Sequence, residues 1–311
     1  MTLQRLIEQY ISYRRSLGSS SITSARMLRA FGRTCRPRAS VAGVRIRHVD
    51  AFLGKARPVT ATWFSKLGCL RGFFRYAVSR GYLTTAPLPT AMPKQSPKFV
   101  PYIYTREEIR RLLQVIESRP RSTSLAPATI RTMILVYYGA GLRLCEAINL
   151  TRADVDLSES ILRIRSTKFG KTRLVPLGPQ LSRVLVQYDR SRPKGRPAEA
   201  PFFATVEGGL INIKTLETNF RVACDRAGIR RAGGARQQPR IHDLRHTFAV
   251  HRLTSWYRQG ADVQRLLHHL SVYLGHVEIR HTQAYLSMTP ELLREASQRF
   301  ERYAGKERHY D

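Results

Sequence analysis

Acidic residues are scarce in this chain. Twenty-two aspartates and glutamates stand against 53 lysines and arginines, a net charge of +31 over 311 residues and a pI near 11.1. An imbalance of that size, spread over the whole length, calls for a polyanionic partner, nucleic acid first among them. Long apolar runs are missing too. None approaches the roughly 18 residues of a spanning helix, which weighs against a membrane as that partner. Only four cysteines occur, Cys35, Cys69, Cys145 and Cys224, and no two form a CxxC pair. That excludes a disulfide frame and a cysteine zinc site and leaves reduced thiols. The N-terminal stretch MTLQRLIEQYISYRR lacks a signal-peptide layout. The expected location is therefore cytoplasmic, in association with the nucleoid. There is no internal repeat, no cluster of carboxylates and no glycine-rich phosphate loop, so neither a metal nor any other cofactor is expected.

What the chain does have is a clear division. Pro87, Pro89, Pro93 and Pro97 fall within eleven residues, and proline both breaks helices and stiffens linkers. The expectation is a helical domain over residues 1–92, a connector over 93–102 and a larger domain over 103–311. In the first part, Leu3, Leu6, Ile7, Tyr10 and Ile11 follow helical spacing. Further helices are expected over Ile22 to Phe31, Val49 to Leu53 and Ala61 to Ser79. Residues 1–96 carry 17 lysines and arginines against two acids, Glu8 and Asp50, and the remainder carries 36 against 20. Both parts are basic, so both are expected to touch the partner, as a clamp around a duplex. After the connector, Thr105 with Glu108 three residues on is a capping-box start. Helices follow at Thr129 to Tyr138, Leu216 to Ala227 and His242 to Leu253. A final one opens at Thr289-Pro290. Residues 160–177 read as two short strands around a Phe169-Gly170 turn, and the stretches from Arg190 to Pro197 and from Arg230 to Arg240 read as loops. The fold class is mainly α with a small β-sheet.

The chemistry lies in a few residues. His242-Asp243-Leu244-Arg245-His246 is followed by Leu274-Gly275-His276 and by Tyr285, with Arg143 far upstream in Gly139-Ala140-Gly141-Leu142-Arg143-Leu144-Cys145-Glu146. Phosphodiesters resist attack because their non-bridging oxygens are charged. A catalyst must neutralise that charge, place a nucleophile in line and protonate the departing oxygen. Arg143 and Arg245 suit the first task, since a guanidinium is a permanent, bidentate donor. Tyr285 suits the second, storing the bond as a phosphotyrosine so that the cut end can be rejoined without ATP. A phenol, with a pKa of about 10, needs help losing its proton. His242, one helical turn before Arg245, is the candidate general base. His276 can hydrogen-bond the phosphate, and Lys168 is the candidate acid for the 5′-oxygen. Each residue alone is commonplace: a solvated arginine, a packed tyrosine, a surface lysine with Lys171 and Arg173 equally near. His242 and His246 could even be two zinc ligands on one helix face, but no third ligand has suitable spacing. The joint occurrence in fixed order is what carries the reading.

The arrangement Arg, Lys, His-x-x-Arg, His, Tyr resembles that of the tyrosine recombinases, the phage-integrase and Xer-like family. Gly141-Leu142-Arg143-x-x-Glu146 is similar to the family's first arginine box, with Glu146 as supporting acid. Thr167-Lys168-Phe169-Gly170-Lys171-Thr172-Arg173-Leu174-Val175-Pro176-Leu177 resembles its lysine hairpin. His242 to Ala249 resembles the second box, and Leu274-Gly275-His276 with Thr282-x-x-Tyr285 the third. Cys145 stands where the family commonly has a small hydroxyl residue, and His281 where it often has threonine. The resemblance covers about residues 103–295. The N-terminal part resembles the family's SAM-like core-binding domain in length, helicity and basicity. What the resemblance implies is a mixed α/β catalytic domain and a site-specific recombinase or integrase serving a mobile element or chromosome. It would cleave duplex DNA at an inverted-repeat core site through a 3′-phosphotyrosyl link and a Holliday junction. It would work as a tetramer on two duplexes, with a second recombinase as a further candidate partner. The C-terminal helix, with Leu292, Leu293 and Phe300, would dock on a neighbouring protomer. Two other readings share parts of the pattern. A type IB topoisomerase uses the same catalytic set but usually carries Ser-Lys ahead of its tyrosine, where this chain has His281-Thr282-Gln283-Ala284. A non-catalytic DNA-binding accessory factor would not need Tyr285.

Overall fold

The computed structural model describes the chain except residues 19–21, 36–38, 55–58, 95–98, 119–123, 166–171, 235–236, 289 and 308–311. The chain divides into two compact units, Met1–Lys98 and Phe99–Asp311. In the first, α1 (Leu3–Ser16), α2 (Ile22–Thr34), α3 (Ile46–Leu53) and α4 (Ala61–Ser79) surround one core. Thr2 and Thr60 start α1 and α4 by accepting from the backbone N–H groups of Arg5 and Trp63. Leu6, Ile7, Phe31, Val49, Leu70, Phe73 and Phe74 are fully buried. Phe31 meets Phe52 and Phe74 edge-on, the arrangement that aromatic quadrupoles favour.

The second unit is mostly helical around a small sheet. α5 (Arg106–Glu117) opens with the expected box: Thr105 N–H donates to Glu108, and Glu108 N–H to Thr105 Oγ1. α6 (Pro127–Gly139) and the short α7 (Leu144–Ile148) follow. Then β1 (Val155–Asp156), β2 (Ile161–Ile164) and β3 (Arg173–Pro176) form an antiparallel meander in that order, with Leu162 opposite Val175. Period-two burial sets its inner face: Leu162, Ile164 and Val175 are inside, while Arg163 and Leu174 face out. The Phe169-Gly170 turn expected between β2 and β3 lies outside the described residues, as does the Thr289 cap.

α8 (Pro179–Arg190), α9 (Ile213–Arg226), α10 (Asp243–Arg258), α11 (Val263–Leu274), the short α12 (Arg280–Gln283), a 3-10 turn at Ala284–Ser287 and α13 (Pro290–Glu307) complete the unit. α8 and α11 are additions to the sequence reading. Both carried ordinary signals: Pro179 at the first turn of one, Asp262 as N-cap and left-handed Gly275 after the other. α13 packs on α10 of its own chain. Leu292 is fully buried and Arg258 pairs with Glu291 and Glu295, whereas Leu293 and Phe300 are exposed. The resemblance pointed to docking of this helix on a neighbour; in the single chain, Leu292 is satisfied internally.

Candidate active site

Four segments of the second unit converge. The start of α10 is fixed first. Tyr104 N–H donates to Thr247 Oγ1 (3.0 Å), Thr247 donates to Asp243 O (2.9 Å), and the Tyr104 hydroxyl donates to Arg240 O (3.1 Å). Asp243, wholly buried, accepts from the Arg240 backbone and guanidinium at 3.0 and 2.9 Å. His242 is thereby held as the N-cap residue of α10, with Arg245 on its first turn.

Arg245 is 2% exposed. Its guanidinium donates to Gly141 O at 2.6 Å and to Leu274 O at 2.7 Å. Arg143, the N-cap of α7, donates to Gly275 O at 2.5 Å and to Glu146 Oε1 at 2.6 Å. Each arginine is thus held by a turn from another segment. Both turns need glycine. Gly141 and Gly275 have φ of +60° and +68°, which side chains avoid. A Cβ on Gly141 would lie 2.6 Å from the Phe248 ring, and one on Gly275 would lie 2.9 Å from the Arg173 guanidinium.

Glu146 is the hub. Its carboxylate accepts from Arg143 N (2.8 Å), from the Arg143 guanidinium, and from Arg173 through a bidentate pair at 2.9 and 2.8 Å; Arg245 stands 4.0 Å away. Burial alone would raise its pKa, but the donors from Arg173 and Arg143 outweigh it and bring the group to about 2. Burial and the Arg143 charge lower Arg245 to about 10, so it stays cationic at neutral pH.

Tyr285 sits on the 3-10 turn, 2% exposed. Its hydroxyl lies 3.1 Å from His246 Nδ1, and its ring stacks near His276, centroids 6.1 Å apart. Burial raises the phenol's pKa, against the lowering field of Arg245 and Arg143. His246 meets His242 edge-on at 5.1 Å. His276 Nδ1 is 2.7 Å from Thr282 Oγ1, which fixes the ring. All three histidines are pushed down, first by burial. His246, beside His242, falls to about 4; His276, facing Arg245 and Arg143, falls to about 3; His242, next to Arg245, moves the same way. Burial thus favours the neutral form of each ring.

Five of the six residues singled out in the sequence therefore meet: Arg143, His242, Arg245, His276 and Tyr285. Lys168 lies outside the described residues, on the segment between β2 and β3. The sequence points to His242 as general base; in the structure the Tyr285 hydroxyl lies 3.1 Å from His246 Nδ1 and also pairs with Arg245. The i, i+4 spacing of His246 from His242 on α10 is the sequence signal that places the two rings side by side. Arg173 was noted merely as a neighbour of Lys168, yet it is the strongest partner of Glu146. Cys145 and His281, the two departures from the family pattern, are both exposed.

Comparison with known proteins places the chain in a family. The profile described as the phage integrase family matches residues 103–291. Over 313 aligned residues, covering 97% of this chain and 98% of the relative, the chain is 36% identical to y4rB of Sinorhizobium fredii, an integrase/recombinase by name. It is 31% identical to the tyrosine recombinase XerA of Thermococcus onnurineus, covering 74% of this chain and 72% of the relative. Among solved structures, the Tn1549 transposon integrase in complex with transposon right end DNA superposes with a TM-score of 0.68 at 17% identity, covering 98% of this chain and all of the other. A lambda integrase dimer bound to a COC′ core site gives 0.65 at 19%, covering 90% and 96%. At those identities the structural likeness is one of fold; the sequence matches carry the rest. The chain belongs to the phage integrase family and is a tyrosine-type site-specific recombinase.

Proposed function

We propose that this protein cleaves and rejoins duplex DNA at an inverted-repeat core site, with Tyr285 as nucleophile and a 3′-phosphotyrosyl intermediate. The observation that carries the reading is the Tyr285 hydroxyl, 3.1 Å from the His246 imidazole and set beside two arginines anchored to the carbonyls of Gly141, Leu274 and Gly275. In this mechanism Arg143 and Arg245 hold the non-bridging oxygens of the scissile phosphate. Their positions are fixed before substrate arrives, so little reorganisation is needed as charge develops. The phenolic oxygen attacks phosphorus as the bond to the 5′-oxygen breaks. The phenol's proton passes to His246, and His242 lies edge-on behind it to share the charge. His276 donates to the phosphate, and Lys168 protonates the leaving 5′-oxygen. The bound phosphate supplies the counter-charge that the resting site lacks, so it raises the depressed histidine pKa values towards the range useful for proton transfer.

In the full reaction four protomers hold two duplexes. The freed 5′-hydroxyl attacks the partner strand, and a four-way junction forms and is resolved by a second round. The basic helical unit supplies core-site binding. A mobile element or the chromosome is the setting, and the relatives named as integrase and recombinase support it. The test uses two duplexes carrying an imperfect inverted repeat taken from the DNA flanking the gene. Expected is a junction of slow mobility on native gels that resolves into recombinant strands. Relaxation of plasmids lacking any such site, with no strand exchange, would favour a topoisomerase instead.

A further inference from the structure

We propose that Arg152, Arg192 and Arg196, a cluster sharing no residue with the site above, form a binding site for a phosphate-type oxyanion. The sequence marks the region by the run Arg190-Ser191-Arg192-Pro193-Lys194-Gly195-Arg196, which the catalytic reading leaves unused. In the structure this loop folds back on the turn before β1. Arg152 N–H donates to Ala200 O at 3.0 Å, and Ala153 N–H to Ala198 O at 2.9 Å. Each guanidinium serves a backbone carbonyl, and Arg196 feels the charges of Arg192 and Arg152. Arg152 donates to Arg196 O (3.1 Å), Arg192 to Thr205 O (3.1 Å) and Arg196 to Pro201 O (2.6 Å).

Those contacts leave donors over. Arg192 Nε and Arg196 Nη1 are buried, and neither has a hydrogen-bond partner among the described residues. Buried charged donors without acceptors are unusual and call for an acceptor from outside the chain. The charge balance asks for the same thing. An ion pair with Asp189 is available to Arg152 only at 3.8 Å. Burial first, then the charges of Arg192 and Arg152, lowers the pKa of Arg196, which is the mark of under-compensated positive charge. A tetrahedral oxyanion would satisfy both free N–H groups and relieve the repulsion, since guanidinium forks fit such oxygens. Arg192 also lines a cavity of about 860 Å³ with Glu117, Arg131, Tyr188 and Ser191, which gives an ion a route to it from solvent. Two sources share this chemistry, free phosphate and a DNA backbone phosphate.

Crystals of the full chain grown without sulfate or phosphate and soaked in selenate give the direct test. An anomalous peak about 3 Å from Arg192 Nε and Arg196 Nη1, the length of a charge-assisted hydrogen bond, is expected. A map with no peak there, while exposed arginines elsewhere bind selenate, would overturn the site. Thermal melts in phosphate against chloride at matched ionic strength check it in solution. The saturable rise in wild type should vanish in Arg192→Gln and Arg196→Gln but persist in Arg110→Gln, a surface control. An equal rise in all four proteins would contradict the proposal. The source is then read from duplex binding. A salt slope of log Kd smaller by about 0.9 in Arg196→Gln marks a backbone phosphate; an unchanged slope marks free phosphate. Both readings are consistent with the site.

Discussion

At the scale of single residues, the site is built from groups that neutralise each other imperfectly. Arg143, Arg173 and Arg245 surround one carboxylate, Glu146, and the surplus positive charge is what a phosphate would meet. Replacing Arg143 or Arg245 with alanine should therefore slow cleavage by about 10² or more, the scale of losing one preorganised donor. DNA affinity should stay within about tenfold, because the remaining contacts are many. Lysine should rescue poorly, lacking the fork. Single-turnover cleavage and filter binding on the same duplex separate the two effects. The histidines give a pH signature. His246 at about 4 and His276 at about 3 lie below their unfolded values near 6.5. Between about pH 6.5 and pH 4 the unfolded chain takes up protons that the folded one refuses, so stability falls as pH is lowered through that window. Glu146, depressed to about 2, adds a further loss below about pH 4.5 as the unfolded carboxylate protonates. Denaturant melts from pH 7 to pH 4 should show the midpoint dropping, and His246→Gln should flatten the upper part of that drop. A midpoint flat across the window would contradict the burial of neutral imidazoles. The identities of most of these residues were legible in the sequence because phosphate chemistry demands them. Their partners were not. That His246 rather than His242 meets the phenol depends on where the 3-10 turn places Tyr285, which no spacing along the chain encodes.

At the scale of elements, two turns and one hairpin strand position the clamp. The carbonyls of Gly141 and Gly275 hold the two arginines, and Arg173 on β3 joins the hairpin to Glu146 while packing on Gly275. Gly275→Ala should cost about 1–3 kcal/mol through its left-handed backbone. It should also reduce cleavage beyond what stability explains, since the new Cβ displaces Arg173. Chemical denaturation and cleavage rates measured together would show it, and a stable, fully active variant would contradict this reading of the turn. Helix positions were readable wherever amphipathic spacing met a cap: Ala61 to Ser79 is found with its expected ends, and Thr105 caps as its spacing required. The strands around residues 161–176 were readable as two short apolar runs on either side of the Phe169-Gly170 turn signal. α8 and α11 were passed over although Pro179, Asp262 and Gly275 punctuate them. β1, only two residues long, exists by pairing with β2 and has no local pattern to betray it.

At the scale of the whole molecule, the charge is divided between two compact units, each with its own core. A fragment beginning at Phe99 should keep its fold, which circular dichroism would check, and lose most specific DNA binding, since 17 of the basic residues precede Pro97. Equal affinity of fragment and full chain for the core site would contradict a binding role for the helical unit. Cleavage should be indifferent to EDTA and to ATP, because guanidinium groups supply the charge a metal would otherwise bring. Abolition by EDTA with restoration by magnesium would refute that. The most direct test of the account joins protein to DNA. A labelled, nicked core-site duplex is incubated with the protein, run on a denaturing gel, and the adduct digested for peptide mass spectrometry. The account predicts an adduct formed in EDTA, carried on the Tyr285 peptide at the 3′-phosphate, and absent from Tyr285→Phe, which still binds the duplex. An adduct of normal yield in Tyr285→Phe, or one mapped to another residue, would contradict it.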